Sequence, residues 1–133
     1  MDIKTIFEKM SLREKISQMF IMGFSGSSLN STNNNIQNAI NSGLGGIILF
    51  AENLQTLDQS KKLIKELNEI AKIPLIISID QEGGLVERTI FMDKSTAFLP
   101  PMALCSTKNP ENVRLQTQIM SDELKNLGIN MNF

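Results

Sequence analysis

A parallel α/β sheet is the expected architecture of this chain, on three observations. Apolar runs short enough to be buried strands occur at 19–24, 45–50, 75–79 and 129–133. The segments between them carry apolar residues at helical spacing, so strands and helices alternate as parallel crossovers require. The third run breaks off into Asp80-Gln81-Glu82-Gly83-Gly84, an acidic, glycine-containing turn at the carboxyl end of a strand, where α/β proteins bind ligands. Right-handed crossovers of this length fit an open doubly wound sheet or the first half of a barrel, and periodicity does not choose between them.

Each element has its own local signal. Ser11-Leu12-Arg13-Glu14 is a capping-box pattern, and Ile16, Met19 and Phe20 after it fit a short helix facing a core. A first strand runs from Met19 to Phe24. Ser25 to Asn35, rich in Ser, Asn and Gly, reads as a solvated connector. Ile36, Ala39 and Ile40 make a brief amphipathic helix that Asn41-Ser42-Gly43 ends. Gly45 to Phe50 is an all-apolar second strand. Its glycines precede the strand, whereas a dinucleotide-binding fingerprint follows one, so they signify helix termination and close packing.

Thr56 to Lys72 is a helix with Leu57, Leu63, Ile64, Leu67, Ile70 and Ala71 on one face. Leu75 to Ile79 is a third strand, expected to be buried on both faces. Thr89 to Thr107 reads as irregular, with Pro100-Pro101 excluding a helix across that point. Asn109-Pro110-Glu111 opens a last helix with Val113, Leu115, Ile119, Met120 and Leu127 on its face, and Gly128 ends it. Ile129 to Phe133 begins a fourth strand.

Composition removes whole classes of chemistry. The 133 residues contain no histidine, which excludes a Ser-His-Asp triad, a His acid/base and a His-ligated metal within the chain. No metal and no cofactor are expected. A net charge of −1 provides no pull toward nucleic acid or anionic lipid. A single cysteine, Cys105, forbids an intramolecular disulfide and suits a reducing compartment. Met1 to Met10 interleaves charges with apolar residues, unlike a signal peptide, and no apolar run approaches the roughly 20 residues of a membrane span. A soluble, cytoplasmic protein is the expectation.

The string Asp80-Gln81-Glu82-Gly83-Gly84-x-Val86-x-Arg88, followed by Phe98-Leu99-Pro100-Pro101-Met102, resembles the signature of the glycoside hydrolase family 3 β-N-acetylhexosaminidases. The similarity extends from about Leu12 to Phe133 and includes the Gly-Gly-Ile-Ile-Leu-Phe run and the terminal Asn-Met-Asn-Phe. It implies that residues 1–133 are a single partial domain. This would be the N-terminal half of a TIM-type (β/α)8 barrel, with about four parallel strands and the Asp80 string closing the third.

The family hydrolyses β-linked N-acetylglucosamine by a retaining route. By resemblance, Asp80 would bond sugar hydroxyls and Arg88 would help to hold the ring, while Gln81, Glu82, Gly83 and Gly84 would support the turn. A carboxylate accepts two hydroxyl protons and a guanidinium offers a rigid fork of donors, so both residue types suit these roles. The family's nucleophilic aspartate and its acid/base histidine have no counterpart here, so no catalytic residue is assigned. Asp80 and Glu82 are not a retaining pair, because both would project from one strand end instead of flanking a sugar. Leu85 stands where the family usually has arginine.

Three functional readings follow. The first is part of a saccharide-binding subsite in a family 3 hexosaminidase. The second is a truncated, non-catalytic paralogue serving as a sugar-binding or assembly module. Its open edges would drive it to self-associate or to pair with a C-terminal half. The third, an unrelated open sheet binding a small anion, requires Gly83-Gly84 to open a helix directly.

Overall fold

The computed structural model describes residues 3–30 and 33–133. Met1 and Asp2 of the N-terminal segment, and Ser31 and Thr32 of the polar connector, lie outside the described residues. The elements run α1 (Ile3–Lys9), α2 (Leu12–Ser17), β1 (Ile21–Met22), α3 (Asn34–Asn41), β2 (Gly46–Leu49), α4 (Leu57–Ile70), β3 (Ile76–Ile79), α5 (Pro101–Ser106), α6 (Pro110–Leu127) and β4 (Met131–Asn132). A one-turn 3-10 helix at Ala51–Asn53 follows β2.

The four strands form one sheet in the order β1-β2-β3-β4, every neighbouring pair parallel. This order resolves the ambiguity left by periodicity. A doubly wound sheet reverses direction at a switch point and carries helices on both faces, whereas a barrel winds one way with its helices outside. Here the winding never reverses, and the core lies on one face. Ile47 and Leu49 of β2 and Ile77 and Ile79 of β3 are fully buried together with Ile36, Ile40, Leu63, Leu67, Leu124 and Leu127 from α3, α4 and α6. The arrangement is that of the first four strands of a barrel.

Side chains alternate along a strand, so the intervening residues occupy the other face. Gly46 pairs with Ile21 and Ile76, and Ile48 with Ser78. Ile76 is 41% exposed there, and Phe133, one residue past β4, is 56% exposed. The expectation that β3 is buried on both faces therefore fails at Ile76, where no helix among the described residues covers this side, and holds at Ser78, which is fully buried.

Other expectations are corrected in the same way. Ile16, Met19 and Phe20 are exposed instead of core-facing, as are Val113, Leu115 and Ile119 on α6. The buried positions of α6 are Met120, Leu124 and Leu127. Helix α5 starts at Pro101 itself, with Pro100 extended as its cap. Proline interrupts a helix from within but suits its first position, where the missing N–H would have had no partner. No helix opens at Gly83-Gly84, which removes the condition for the small-anion reading.

Local chemistry sets the helix ends. The Ser11–Glu14 capping box is formed at α2, and Thr56 and Gln59 form a second at α4. Asn109 caps α6 through Glu111 N. Among the described residues, no helix is long and apolar enough to cross a membrane.

Candidate saccharide site at the carboxyl ends of the strands

Asp80 is the first residue beyond β3, at the carboxyl end of the sheet and half-buried. Strand alternation puts it on the uncovered face, one residue past the level where Leu49 pairs with Ile79. Arg88 comes back to the same place from the far arm of a hairpin, and its Nη2 lies 3.3 Å from Asp80 Oδ2. About a quarter to a third of each side chain remains exposed (27% for Arg88, 30% for Asp80). The ion-pair partner of Arg88 is thus Asp80. A half-exposed pair of this kind contributes up to about 1 kcal/mol to stability, so its worth lies in placing donors and acceptors at the rim.

The hairpin that returns Arg88 is built from backbone. Gly83 and Val86 form a bridge, with Glu82 N donating to Val86 O at 2.8 Å. Gly83 (φ 99°) and Gly84 (φ 66°) are both in the left-handed region. A Cβ on Gly83 would run into the Leu99 carbonyl, and one on Gly84 would lie 2.8 Å from Pro100 Cβ. The two glycines therefore meet both a conformational and a steric demand of the turn. Leu85, at the hairpin tip, is fully exposed.

Gln81 supports the motif through a buried amide. Its Oε1 accepts Arg88 N at 2.7 Å and its Nε2 donates to Thr89 Oγ1 at 2.8 Å. Its own backbone is clamped from β4, where Asn132 Oδ1 accepts Gln81 N and Asn132 Nδ2 donates to Gln81 O, both at 2.8 Å. Asn130 holds β3 one step earlier through Ile77 N and Leu75 O. Glu82 contributes through its backbone only, and its side chain points to solvent.

Three residues that carry the loop were missed by sequence reasoning. Glu87 is buried, and its carboxylate accepts Phe98 N at 3.3 and 3.4 Å. Burial pushes its carboxyl above the usual range, opposed by the Phe98 bond and reinforced by Glu123. Gln116 on α6 brackets the Leu99 peptide, accepting from Leu99 N and donating to Leu99 O. Glu123 accepts from Thr96 N and Thr96 Oγ1. No local pattern marks such long-range clamps. A cavity of about 110 Å³ behind the motif, lined by Gln81, Thr89, Met92, Phe98 and Met120 among others, includes neither Asp80 nor Arg88. Among the described residues no cluster of acidic, Cys or His side chains could hold a metal ion.

Phe50, one residue past β2, completes the rim. Arg88 Cζ lies 5.5 Å from the centre of its ring. A carboxylate, a guanidinium and an aromatic ring thus meet at the open ends of adjacent parallel strands. Such a set can accept protons from vicinal hydroxyls and donate to their oxygens.

Comparison with known proteins gives the site its context. The family model described as the glycosyl hydrolase family 3 N terminal domain matches residues 11–133. Beta-hexosaminidase A of Pseudoalteromonas piscicida is 40% identical over 98 residues, covering 68% of this chain and 16% of that protein. The beta-hexosaminidase of Nitrosomonas eutropha is 37% identical over 97 residues, 68% of this chain and 27% of its own length. Among solved structures, a family 3 beta-N-acetylglucosaminidase from Paenibacillus sp. superposes with a TM-score of 0.86 at 37% identity, over 93% of this chain and 24% of that one. NagZ from Neisseria gonorrhoeae superposes at 0.71 and 26% identity, over 85% and 35%. The chain therefore spans about a quarter or less of the two curated relatives named.

Proposed function

The chain belongs to the glycosyl hydrolase family 3 N-terminal domain family, and on that premise we propose that it supplies part of a subsite for terminal β-linked N-acetylglucosamine. The observation that carries this reading is the Asp80–Arg88 pair, half-exposed on the uncovered face at the carboxyl ends of the strands. Asp80 accepts two sugar hydroxyl protons, and the free donors of Arg88 bond ring substituents. The hairpin through Gln81, Gly83 and Gly84 fixes the distance between the two groups. In the complete enzyme the reaction is retaining hydrolysis, with the nucleophile and acid/base supplied outside these residues. The 133-residue chain, which has no histidine, is inactive by itself. Its single exposed thiol suits a reducing, cytoplasmic setting.

Isothermal titration of the chain with N-acetylglucosamine tests the assignment. Asp80→Ala is expected to abolish the heat of binding while leaving the unfolding transition within about 1 kcal/mol of the parent, the scale of a half-exposed pair. Equal heats before and after the substitution would end the proposal.

A second reading, an assembly module, is favoured by the bare sheet face. Parallel sheets are found with both faces covered, and here Phe50, Ile76 and Phe133 stay exposed on one. Among the described residues, strands β1 and β4 also leave their outer edges unpaired. Light scattering on the purified chain is expected to give a mass above the 14.8 kDa protomer. A monomer at all concentrations would remove this reading.

A further inference from the structure

We infer that Phe50 is a positioning residue of the saccharide subsite, its ring holding the Arg88 guanidinium where it pairs with Asp80. The inference rests on the reading of Asp80 and Arg88 as sugar-holding groups and adds the group that orients one of them. Among the described residues Arg88 makes a single ion pair, through Nη2. Its Nε is buried and, among the described residues, has no hydrogen-bond partner. A desolvated N–H on a cation is costly unless something replaces water. The guanidinium carbon Cζ lies 5.5 Å from the centre of the Phe50 ring, within the distance at which a cation is drawn to an aromatic face. The other restraint on Arg88 acts on its backbone, through Gln81, and leaves the plane of the guanidinium free. The ring sets that plane.

Phe50 is itself held by Asn53 and by the loop after β1. Its N donates to Asn53 Oδ1 at 2.8 Å, and the buried Asn53 amide donates onward to the carbonyls of Phe24 and Gly26. The ring edge sits over Gly23, where an added Cβ would lie 3.1 Å from Phe50 Cε2. The chain of contact thus runs from Gly23 and Asn53 to Phe50, then to Arg88, and then to Asp80. None of the first three need touch a sugar.

The experiment follows the side-chain N–H signals of the chain's three arginines, Arg13, Arg88 and Arg114, by NMR during titration with N-acetylglucosamine. The Arg88 Nε–H signal is expected upfield of the other two, shifted by the ring current of Phe50. Phe50→Leu should return it to their position and weaken sugar binding about fivefold, while Phe50→Tyr should keep both near the parent values. Gly23→Ala, which displaces the ring without touching Arg88 or Asp80, should move both readouts in the same direction by a smaller amount, and it decides the matter if Phe50→Leu does not fold. Two results would overturn the inference. One is Phe50→Leu with signal and affinity unchanged; the other is affinity lost with the Arg88 signal unmoved, which would make the ring a direct sugar contact. If the parent chain binds no sugar, the subsite reading fails, and the Arg88 signal alone decides whether Phe50 orients the guanidinium.

Discussion

The two faces of the sheet are built from the same residue types and meet opposite fates. On the helix side, Ile47, Leu49, Ile77 and Ile79 are at 0% exposure beneath α3, α4 and α6. On the other side, Ile76 and Phe133 stand open to solvent, and the functional groups Asp80, Arg88 and Phe50 gather at its upper rim. Isoleucines 76 and 77 are adjacent in sequence and differ by nearly half of their surface in exposure. One face supplies the stability of this chain, and the other holds its candidate chemistry.

The largest test of this contrast is Ile77→Ala. It should cost about 3–4 kcal/mol, the lost transfer energy plus a cavity, measured by urea unfolding. Next comes Gly83→Ala, at the junction of the two faces. Its left-handed backbone and its approach to the Leu99 carbonyl should together cost about 2–3 kcal/mol and displace the 96–100 segment.

A third test uses pH. The carboxyl of Glu87 is raised, mainly by burial. The folded state therefore binds the proton more tightly than the unfolded state, and this group's contribution weakens as pH rises through the carboxylate range. Glu87→Gln should be more stable than the parent at neutral pH, with the two unfolding curves converging in acid. If the parent instead gained relative to the variant as pH rose, Glu87 would be stabilised as an anion and the sign would be reversed.

The smallest effect sharpens the contrast most. Ile76→Ser should change stability by no more than about 0.5 kcal/mol, as surface substitutions do. A loss close to that of Ile77→Ala, growing with protein concentration, would mean that the open face is covered in solution, and it would promote the assembly reading.

Much of this was legible in the residues. The capping box at Ser11, the Asn109-Pro110-Glu111 helix start and the four apolar runs are local signals, and each marks its element to within a few residues. The Asp80-to-Arg88 string pointed to the strand end where Asp80 stands. Other features were not legible. That α5 could begin at Pro101 depended on whether proline stood first in a helix or inside it. The apolar faces assigned to α2 and α6 were partly wrong, since spacing identifies a stripe and cannot say whether a partner lies against it.

Element types, their order and the acidic turn follow from interactions between residues a few positions apart, and the chain encodes those directly. The one-way winding of the sheet, the bare side of β3, the Asp80–Arg88–Phe50 contact and the clamps from Asn130, Asn132 and Gln116 join residues between 8 and 55 positions apart, or on different strands. Alternation along a strand distinguishes two faces but carries no information on which will be covered. That is settled by the packing of helices that each follow their own crossover.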